Sequence, residues 1–559
     1  MATPQTERKP VVLIIRDGWG RNPHREHDSF NAVHLAHTPV ADALRQSWPT
    51  TLIKTCGEDV GLPPGIMGNS EVGHQNIGAG RVVDQEVMRI TRRIRDGSFF
   101  ENEGFLGAFH HARSSGGKVH LIGLVSNGLV HSDIEHLFAL IDLAAMQHFS
   151  SDRLFVHALT DGRDTGPTTG LGFLQQVEDT LAEAKSGRIG SVIGRFWAMD
   201  RDHRWERIAW AYGCLTGKKV AHPKLTPDMQ TRSATDALQG AVQWAYDNPI
   251  GPSQTGDEFI PPTQMADGNG SPLGLIEAGD AVIFFNYRGD RPRELTKAFT
   301  LDDAAWEDVQ GGGFDRGNRI DNLYFCAMTG YETGLPVSAI AFAKPPRMEN
   351  ILGQVVSDAG LTQFRCAETE KFPHVTFFFN DYREEPFPSE HRLLIPSPQE
   401  VATYDQKPEM SAEGICTGVL DRLDASDCES LLIVNFANPD MVGHTGKLDA
   451  VIKAVETVDG CVGRIVDSVL AKGGSCLVMA DHGNAEQMWN PEHACPHTAH
   501  TTYDIPLILI GQHFQGHTLT EGGRLADIAP TLLAMMGIES PPEMTGKSLI
   551  SVRQAASLT

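Results

Sequence analysis

The chain repeats one pattern, a short apolar run that ends in a polar loop. The runs are VVLIIRDGWG, HLIGLVSNG, LFVHALTDGRD, AVIFFNYRGDR, LLIVNFANPD and SCLVMADHGN. Strands that are apolar along their whole length are buried on both faces, which is typical of parallel sheets covered by helices. The apolar residues from Lys447 to Lys472 keep the spacing of an amphipathic helix. The sequence therefore predicts an α/β fold, whose ligands bind beyond the carboxyl ends of the strands.

The length and the distribution of residue types predict two domains. With 559 residues the chain exceeds the size of one ordinary core. Most candidate metal ligands lie near the two ends of the chain, whereas most candidate anion-binding arginines lie in its middle. We infer a domain interrupted by an insertion, with crossings near Val82–Val87 and near Leu335–Pro346. The predicted bounds are 1–85 with 342–559 for the interrupted domain and 86–341 for the inserted domain.

Composition excludes several classes of protein. The chain has 47 basic and 71 acidic residues and a net charge of −24, which argues against a broad surface for nucleic acid or anionic membranes. No apolar run reaches the roughly 18 residues of a membrane span, and the polar N-terminus MATPQTERKP does not resemble a signal peptide. Nine cysteines without a CxxC pair indicate free thiols in a reducing compartment. We therefore expect a cytoplasmic enzyme.

Asp and His residues gather at the ends of predicted strands, in RDGWG, ADHGN and TAHTT, and in a D-x-x-x-H motif whose side chains would point one way on a helical turn. The candidate ligands are Asp17, Asp440, His444, Asp481, His482 and His500. Each alone is explained as a turn aspartate, a helix cap or a buried histidine. Oxygen and imidazole donors without a thiolate suit Mn²⁺, Zn²⁺ or Co²⁺. With Ser70 in the loop MGNSEVGH, the set predicts a two-metal site that makes and breaks a phosphoserine.

A second group of candidates combines arginines with one acid. Its members are Arg163, Asp164, Arg195, Arg201, Arg288 and Arg291. The planar guanidinium group donates two parallel hydrogen bonds to a phosphate or carboxylate, although a single arginine is more often part of a surface salt bridge. Asp164 should stay ionised among these cations and could accept the proton of a substrate hydroxyl. The alternative is that it only orients Arg163.

Taken together, the motifs resemble those of the alkaline phosphatase superfamily, and most closely those of the cofactor-independent phosphoglycerate mutases. They run from about residue 11 to about residue 548, nearly the whole chain. The motifs are MGNSEVGHQNIGAGR, DGRDTGP, AMDRDHRWER, NYRGDRPRE, CAETEKFPHVTFFFN, PSPQEVATYDQKPEMSA, ANPDMVGHTG, ADHGNAEQM and TAHTT.

The resemblance implies a fold and a set of site residues. The fold is an alkaline-phosphatase-like metal-binding domain interrupted by an inserted substrate-binding α/β domain, with the active site in the cleft between them. In the family the two metal ions are usually Mn²⁺, sometimes Co²⁺ or Zn²⁺. Ser70 is implied to be the nucleophile, and His131 and Lys371 are implied to bind substrate with the arginines. One ion is assigned to Asp17, Ser70, Asp481 and His482, and the other to Asp440, His444 and His500.

The activity implied is that of an isomerase of glycolysis and gluconeogenesis. It would interconvert 3-phosphoglycerate and 2-phosphoglycerate through a phosphoserine, without bisphosphoglycerate, and we expect a monomer. Phosphopentomutase or a phosphomonoester or sulfate-ester hydrolase on the same scaffold remains an alternative, as does a non-catalytic binding protein on a degenerate fold. Two positions depart from the family pattern. Asn127 stands where an Asp is usual, and Arg16 stands where an apolar residue is usual.

Overall fold

The computed structural model describes residues 9–226, 229, 231–235 and 237–551. The chain forms two compact units, Met1–Gln85 with Pro346–Thr559, and Glu86–Pro345. We call them the interrupted unit and the inserted unit. Each has strands and helices in alternation, so the predicted α/β class and the predicted interruption of one unit by the other are confirmed. No helix in the described part of the chain has both the length and the apolar character that crossing a membrane requires.

The interrupted unit is built on a mixed sheet. Within the described residues eight strands lie in the order Glu390–Ile395, Gln363–Glu368, Leu431–Phe436, Val11–Arg16, Ser475–Met479, Ile505–Ile510, Thr50–Lys54 and Gly523–Arg524. The first five are parallel, as predicted. Ile505–Ile510 is antiparallel to both of its neighbours, so the sheet is mixed, although its apolar strands are typical of parallel sheets. Burial on both faces makes a strand apolar whichever direction it runs, so the apolar run could not reveal its direction.

Helices cover this sheet and exclude water from its core. The segment predicted as a helix over Lys447–Lys472 forms Leu448–Ala471, whose buried residues include Val451, Val455 and Val462. The α-helices are Ala32–Leu35, Pro39–Ser47, Ser70–Ala79, Leu352–Asp358, Ala412–Asp424, Asn438–Gly443, Leu448–Ala471 and Ile528–Met535. A π-helix spans His374–Phe378, and 3₁₀ turns span Arg25–Phe30, Gly57–Val60, Tyr404–Gln406, Gln512–Phe514 and Leu525–Asp527. Short strand pairs join Trp489–Asn490 to Cys495–Pro496 and Thr518–Leu519 to Ile550–Ser551.

The inserted unit has its own sheet and its own core. Where the structure describes this unit, the strands lie in the order Ala339–Phe342, Tyr324–Thr329, Ala281–Phe284, Val119–Leu124, Leu154–Thr160, Arg188–Gly194, Thr263–Met265 and Arg232–Ala234. All neighbours are parallel except Arg188–Gly194 and Thr263–Met265. The α-helices are Glu86–Arg95, Glu103–Ser115, Ile134–Met146, Gly170–Ala184, Arg195–Ala198, Trp205–Thr216, Leu238–Asp247, Arg293–Thr300 and Asp303–Glu307, with 3₁₀ turns Ser98–Glu101 and Asp257–Phe259.

Candidate metal centre and anion-binding site

One edge of the interrupted unit's sheet collects its polar side chains. Four adjacent parallel strands end at this edge, and each is followed by at least one candidate residue. Lys371, Asp440, Asp17 and Asp481 follow Gln363–Glu368, Leu431–Phe436, Val11–Arg16 and Ser475–Met479, respectively. His500 precedes Ile505–Ile510, and because that strand is antiparallel, His500 reaches the same edge. Because its strand runs in the opposite direction, His500 lies beside residues that follow the parallel strands.

Ser70 is the first residue of the helix Ser70–Ala79. The Asn69 side chain caps this helix by accepting a hydrogen bond from the Val72 N–H at 2.9 Å. The buried Ser70 hydroxyl lies 3.1 Å from Asp17 Oδ1 and 3.0 Å from His482 Nε2. A helix N-terminus favours negative charge, so an oxyanion or a phosphate on Ser70 would be stabilised there.

Lys371 lies between the two groups of candidate ligands. Its ammonium group donates to Ser70 Oγ at 2.6 Å, to Asp17 Oδ1 at 2.9 Å and to Asp440 Oδ2 at 2.6 Å. Although burial opposes the charge, Asp17 and Asp440 raise the pKa of Lys371 above its ordinary value. Lys371 is therefore a cation, and it contacts the candidate nucleophile directly.

The first ligand group consists of Asp17, Asp481 and His482, whose donor atoms all lie within 4.8 Å of one another. His482 Nε2 is 3.4 Å from Asp17 Oδ1 and 3.7 Å from Asp481 Oδ2. All three side chains are fully buried. Burial, reinforced by Asp481, raises the pKa of Asp17, as expected for carboxylates that are buried close together.

The second group contains Asp440, His444 and His500. Asp440 Oδ1 lies 3.3 Å from His444 Nε2 and 3.1 Å from His500 Nε2, and the two imidazole nitrogens are 3.2 Å apart. The His482 ring stacks on that of His500 with centroids 3.9 Å apart. The donor atoms of His482, Asp440 and His500 also all lie within 4.8 Å of one another. The two groups therefore adjoin at His482.

The hydrogen bonds of the three histidines indicate which nitrogen faces the acids. A carbonyl oxygen lies near each Nδ1: Thr498 for His444 at 2.8 Å, Gly68 for His500 at 2.8 Å and Gly483 for His482 at 3.3 Å. Because a carbonyl oxygen can only accept a hydrogen bond, each Nδ1 carries a proton. In a neutral ring the Nε2 atom is then unprotonated, and these Nε2 atoms face one another and the carboxylates. This repulsive arrangement requires a cation.

Either a proton or a metal ion can supply that cation. The contact with Asp440 raises the pKa of His444, and it also raises the pKa of His500, where burial opposes the charge. Asp481 Oδ2 is buried and lies 3.2 Å from His74 Nδ1, but it has no well-aligned hydrogen-bond donor among the described residues. Carboxylate and imidazole donors whose second ring nitrogen binds a carbonyl are the usual arrangement around divalent ions, so the residues present fit two such ions.

Several supporting residues were not predicted from the sequence. Asn435 Nδ2 donates to Asp17 Oδ2 at 2.8 Å and to His74 Nε2 at 3.0 Å, and His74 Nδ1 in turn lies 2.8 Å from the Ser70 carbonyl. Asn484 Nδ2 donates to Asp440 Oδ1 at 3.0 Å. All lie inside motifs already identified, but their partners are far away in sequence, so only the fold reveals their contacts.

The inserted unit gathers its candidates in the same way, at the carboxyl ends of adjacent parallel strands. His131 follows Val119–Leu124, Arg163 and Asp164 follow Leu154–Thr160, Arg195 follows Arg188–Gly194, and Arg288 and Arg291 follow Ala281–Phe284. Arg201 comes after the short helix Arg195–Ala198. The structure therefore brings this predicted set to one sheet edge within the inserted unit.

Acids hold these arginines in place. Arg195 Nη1 lies 2.5 Å from Asp164 Oδ2 and 2.7 Å from Asp161 Oδ1. Asp290, which the sequence analysis did not single out, lies 3.0 Å from Arg201 Nη1 and 3.2 Å from Arg288 Nε.

The remaining members are less constrained by acids. Arg291 Nη1 donates to the Met199 carbonyl at 2.9 Å, and burial together with Arg195 and Arg201 lowers its pKa. Arg163 is exposed and lies 3.4 Å from Glu258. A cluster of cations that repel one another suits an anionic ligand.

His131 lies among these charged groups but is neutral. Its Nε2 is 3.9 Å from Asp164 Oδ2 and its Nδ1 is 3.6 Å from Asp290 Oδ1. Burial, with Arg195 next in importance, lowers the pKa of His131 to about 4. At neutral pH His131 can therefore offer a ligand a hydrogen bond without adding charge.

The two departures from the family pattern have different surroundings. Asn127 is exposed. Arg16 is buried, with its guanidinium 4.3 Å from the Trp19 ring, and burial lowers its pKa to about 9. Its Nε and Nη2 find no hydrogen-bond partner among the described residues. Arg16 thus packs inward behind Asp17.

Comparisons with known proteins agree with this geometry. The profile of the metalloenzyme superfamily matches residues 9–540. A 2,3-bisphosphoglycerate-independent phosphoglycerate mutase from Rhodopirellula baltica is 59% identical over 98% of this chain and 98% of the relative. One from Microcystis aeruginosa is 50% identical over 97% of this chain and 95% of the relative. The crystal structure of Leishmania mexicana phosphoglycerate mutase at low cobalt concentration superposes with a TM-score of 0.59 and 30% identity, covering 99% of each chain.

Proposed function

This chain belongs to the family of 2,3-bisphosphoglycerate-independent phosphoglycerate mutases, and we propose that it interconverts 3-phosphoglycerate and 2-phosphoglycerate through a phosphoserine on Ser70. The observation that carries the proposal is the position of Ser70 Oγ. Ser70 is the first residue of a helix, and its Oγ lies 2.6 Å from Lys371 Nζ and 3.1 Å from Asp17 Oδ1. Such surroundings stabilise a serine oxygen as its negative charge develops.

The donor set supports two divalent cations, and Mn²⁺ is the ion that we propose, with Co²⁺ or Zn²⁺ as alternatives. When bound, they would lower the pKa of the serine hydroxyl and neutralise the phosphoryl oxygens. The proposed ligands are Asp17, Ser70, Asp481 and His482 for one ion, and Asp440, His444 and His500 for the other.

In the first half-reaction the Ser70 oxygen attacks phosphorus and the bond from phosphorus to the substrate oxygen breaks. The departing oxygen takes up a proton to give glycerate, which balances the proton lost by Ser70. In the return step the other hydroxyl of glycerate gives its proton to Asp164 and attacks the phosphoserine. The phosphorus–Oγ bond breaks, and the serine oxygen is stabilised by Lys371 until it is protonated again.

The inserted unit supplies the groups that retain glycerate between the two steps. Its arginines would bind the carboxylate with paired hydrogen bonds, and neutral His131 would contact a hydroxyl. A hydrolase does not need to retain the dephosphorylated product, whereas a mutase must hold it and exclude water. The groups proposed to bind glycerate are His131, Arg163, Asp164, Arg195, Arg201, Arg288 and Arg291, together with Lys371 from the interrupted unit.

The test is conversion of 3-phosphoglycerate by protein stripped of metal with a chelator, without bisphosphoglycerate, before and after Mn²⁺ is added. We expect 2-phosphoglycerate only after Mn²⁺ is restored. Release of free phosphate instead would identify a hydrolase, and no reaction with Mn²⁺, Co²⁺ or Zn²⁺ would overturn the proposal.

Two further parts of the proposal concern the state of the protein. We propose a cytoplasmic location, which is supported by nine cysteines that are all free. We also propose a monomer, which sedimentation equilibrium at micromolar protein would test. A mass of twice the 61.0 kDa chain would contradict it.

A further inference from the structure

Asp161 is a buried carboxylate in the inserted unit and the first residue of the DGRD motif, which also contains Arg163 and Asp164. It is 1% exposed. Its Oδ1 accepts hydrogen bonds from the backbone N–H of Arg163 at 3.2 Å and of Asp164 at 2.9 Å, and from Arg195 Nη1 at 2.7 Å. Its Oδ2 accepts from Ser126 Oγ at 2.7 Å. Both oxygens therefore accept hydrogen bonds that hold neighbouring groups in place.

These hydrogen bonds hold Asp164, the proposed acceptor of the hydroxyl proton, and its partner Arg195 in position. The two backbone bonds fix the turn that carries Asp164. The third bond fixes Arg195, which is 3% exposed and whose Nη1 also reaches Asp164 Oδ2 at 2.5 Å. Arg195 Nη1 thus donates to two carboxylates. Without Asp161, the positive charge of Arg195 would be paired with Asp164 alone.

We propose that Asp161 is a positioning residue for the return of the phosphoryl group to glycerate. This inference rests on the proposed function. Asp161 holds the Asp164 backbone in place and shares Arg195, so that Asp164 can accept a hydroxyl proton instead of acting only as the counter-ion of Arg195. Asp161 itself acts through these neighbours and does not contact the reacting atoms.

The variant Asp161→Asn tests whether the charge of Asp161, and not only its size, is needed for this role. The amide keeps the size of the carboxylate and one carbonyl oxygen for the two backbone N–H groups, but it removes the negative charge. Arg195 then has Asp164 as its carboxylate partner. A cation that is paired with Asp164 alone makes it a weaker base, so the return step should slow by about 10- to 100-fold, while phosphorylation of Ser70 changes less.

The experiment follows single turnovers of phosphoglycerate labelled in its phosphoryl group, with Mn²⁺ present, and quantifies phosphoserine, product and free phosphate. We expect Asp161→Asn to accumulate phosphoserine and to release several-fold more phosphate per product than the wild type. Asp152→Asn, which removes an exposed carboxylate at the other end of the same strand, is the matched control and should keep the wild-type ratio. A variant that is merely partly unfolded lowers all three quantities together and leaves the ratio unchanged.

Ser126→Ala provides a second variant that keeps the charge of Asp161 and removes one of its hydrogen bonds. It should raise the ratio of phosphate to product in the same direction, by about two- to threefold. Wild-type ratios in Asp161→Asn, or in Ser126→Ala if the first variant does not fold, would overturn the inference and leave the proposed function standing. A wild-type protein that forms no 2-phosphoglycerate would overturn both.

Discussion

Lys371 Nζ lies 2.6 Å from Ser70 Oγ. The same ammonium group bonds Asp17 of one ligand group and Asp440 of the other. A single cation therefore links the candidate nucleophile to both groups of acids. Asp17 accepts a hydrogen bond from the Ser70 hydroxyl, and it also accepts bonds from Lys371 and Asn435, which make it a weaker base. We therefore propose that positive charge, which stabilises the serine oxyanion, contributes to the reactivity of Ser70.

Ser70→Ala should abolish the mutase reaction. Without the hydroxyl no phosphoserine can form, so we expect turnover to fall by at least about 10³-fold. The variant removes one of the four proposed ligands of the first ion but keeps Asp17, Asp481 and His482, so Mn²⁺ binding should weaken only in part, and the thermal midpoint should stay near the wild type. Ser114→Ala, which removes an exposed helical hydroxyl, is the control. Activity in Ser70→Ala above a tenth of the wild type would remove Ser70 from the mechanism.

Lys371→Met should destabilise the metal-free protein more than the metal-loaded protein. Removing the ammonium group leaves Asp17 and Asp440 buried without their common partner, which costs about 3–5 kcal/mol. Divalent ions would compensate, so Mn²⁺ should raise the melting temperature more in this variant than in the wild type, while turnover falls. Lys472→Met removes a half-exposed partner of Asp424 and should cost less than about 1 kcal/mol. Equal Mn²⁺ shifts in the Lys371 variant and the wild type would contradict this account.

The sequence could predict which polar residues lie at the ends of strands, because the pattern that marks them is local in sequence. A buried strand is apolar along its length, and an Asp or His directly after it, as at Asp17 or Asp481, lies at the carboxyl edge whatever the order of the strands. The candidates that follow parallel strands therefore lie at the carboxyl edges of their sheets whatever the strand order, whereas His500, which precedes its strand, lies there only because that strand is antiparallel.

Contacts between distant segments could not be predicted in this way. Asn435 bonds both Asp17 and His74 because three segments meet, and no local pattern marks an Asn for that role. The direction of Ile505–Ile510 was hidden by its uniform burial. Arg16 is the last residue of an apolar strand, and the sequence does not show whether its side chain points to solvent or to the interior. Its packing on Trp19 depends on the tertiary fold.

Metal binding should weaken as pH falls. In the metal-free protein Asp440 raises the pKa of His444 and, against burial, of His500, so both begin to protonate above the ordinary value of about 6.5. A metal ion must displace these protons. The affinity for Mn²⁺ should therefore fall by up to about tenfold per proton for each pH unit below 7. Calorimetric titration at pH 7.5 and 6.0 measures this loss, and equal affinities would show that these histidines are not ligands.

The inserted unit should lose stability in acid for a different reason. His136 is fully buried beside Thr91, and burial lowers its pKa to about 3. The unfolded chain binds this proton below pH 6.5 while the folded chain does not, so the free energy of unfolding falls by about 1.4 kcal/mol per pH unit between 6.5 and 3. His136→Gln should remove that part of the loss between pH 7 and 5 in urea unfolding. His110→Gln, at an exposed helical position, should keep it, and an unchanged slope in the His136 variant would mean that another group causes the acid sensitivity.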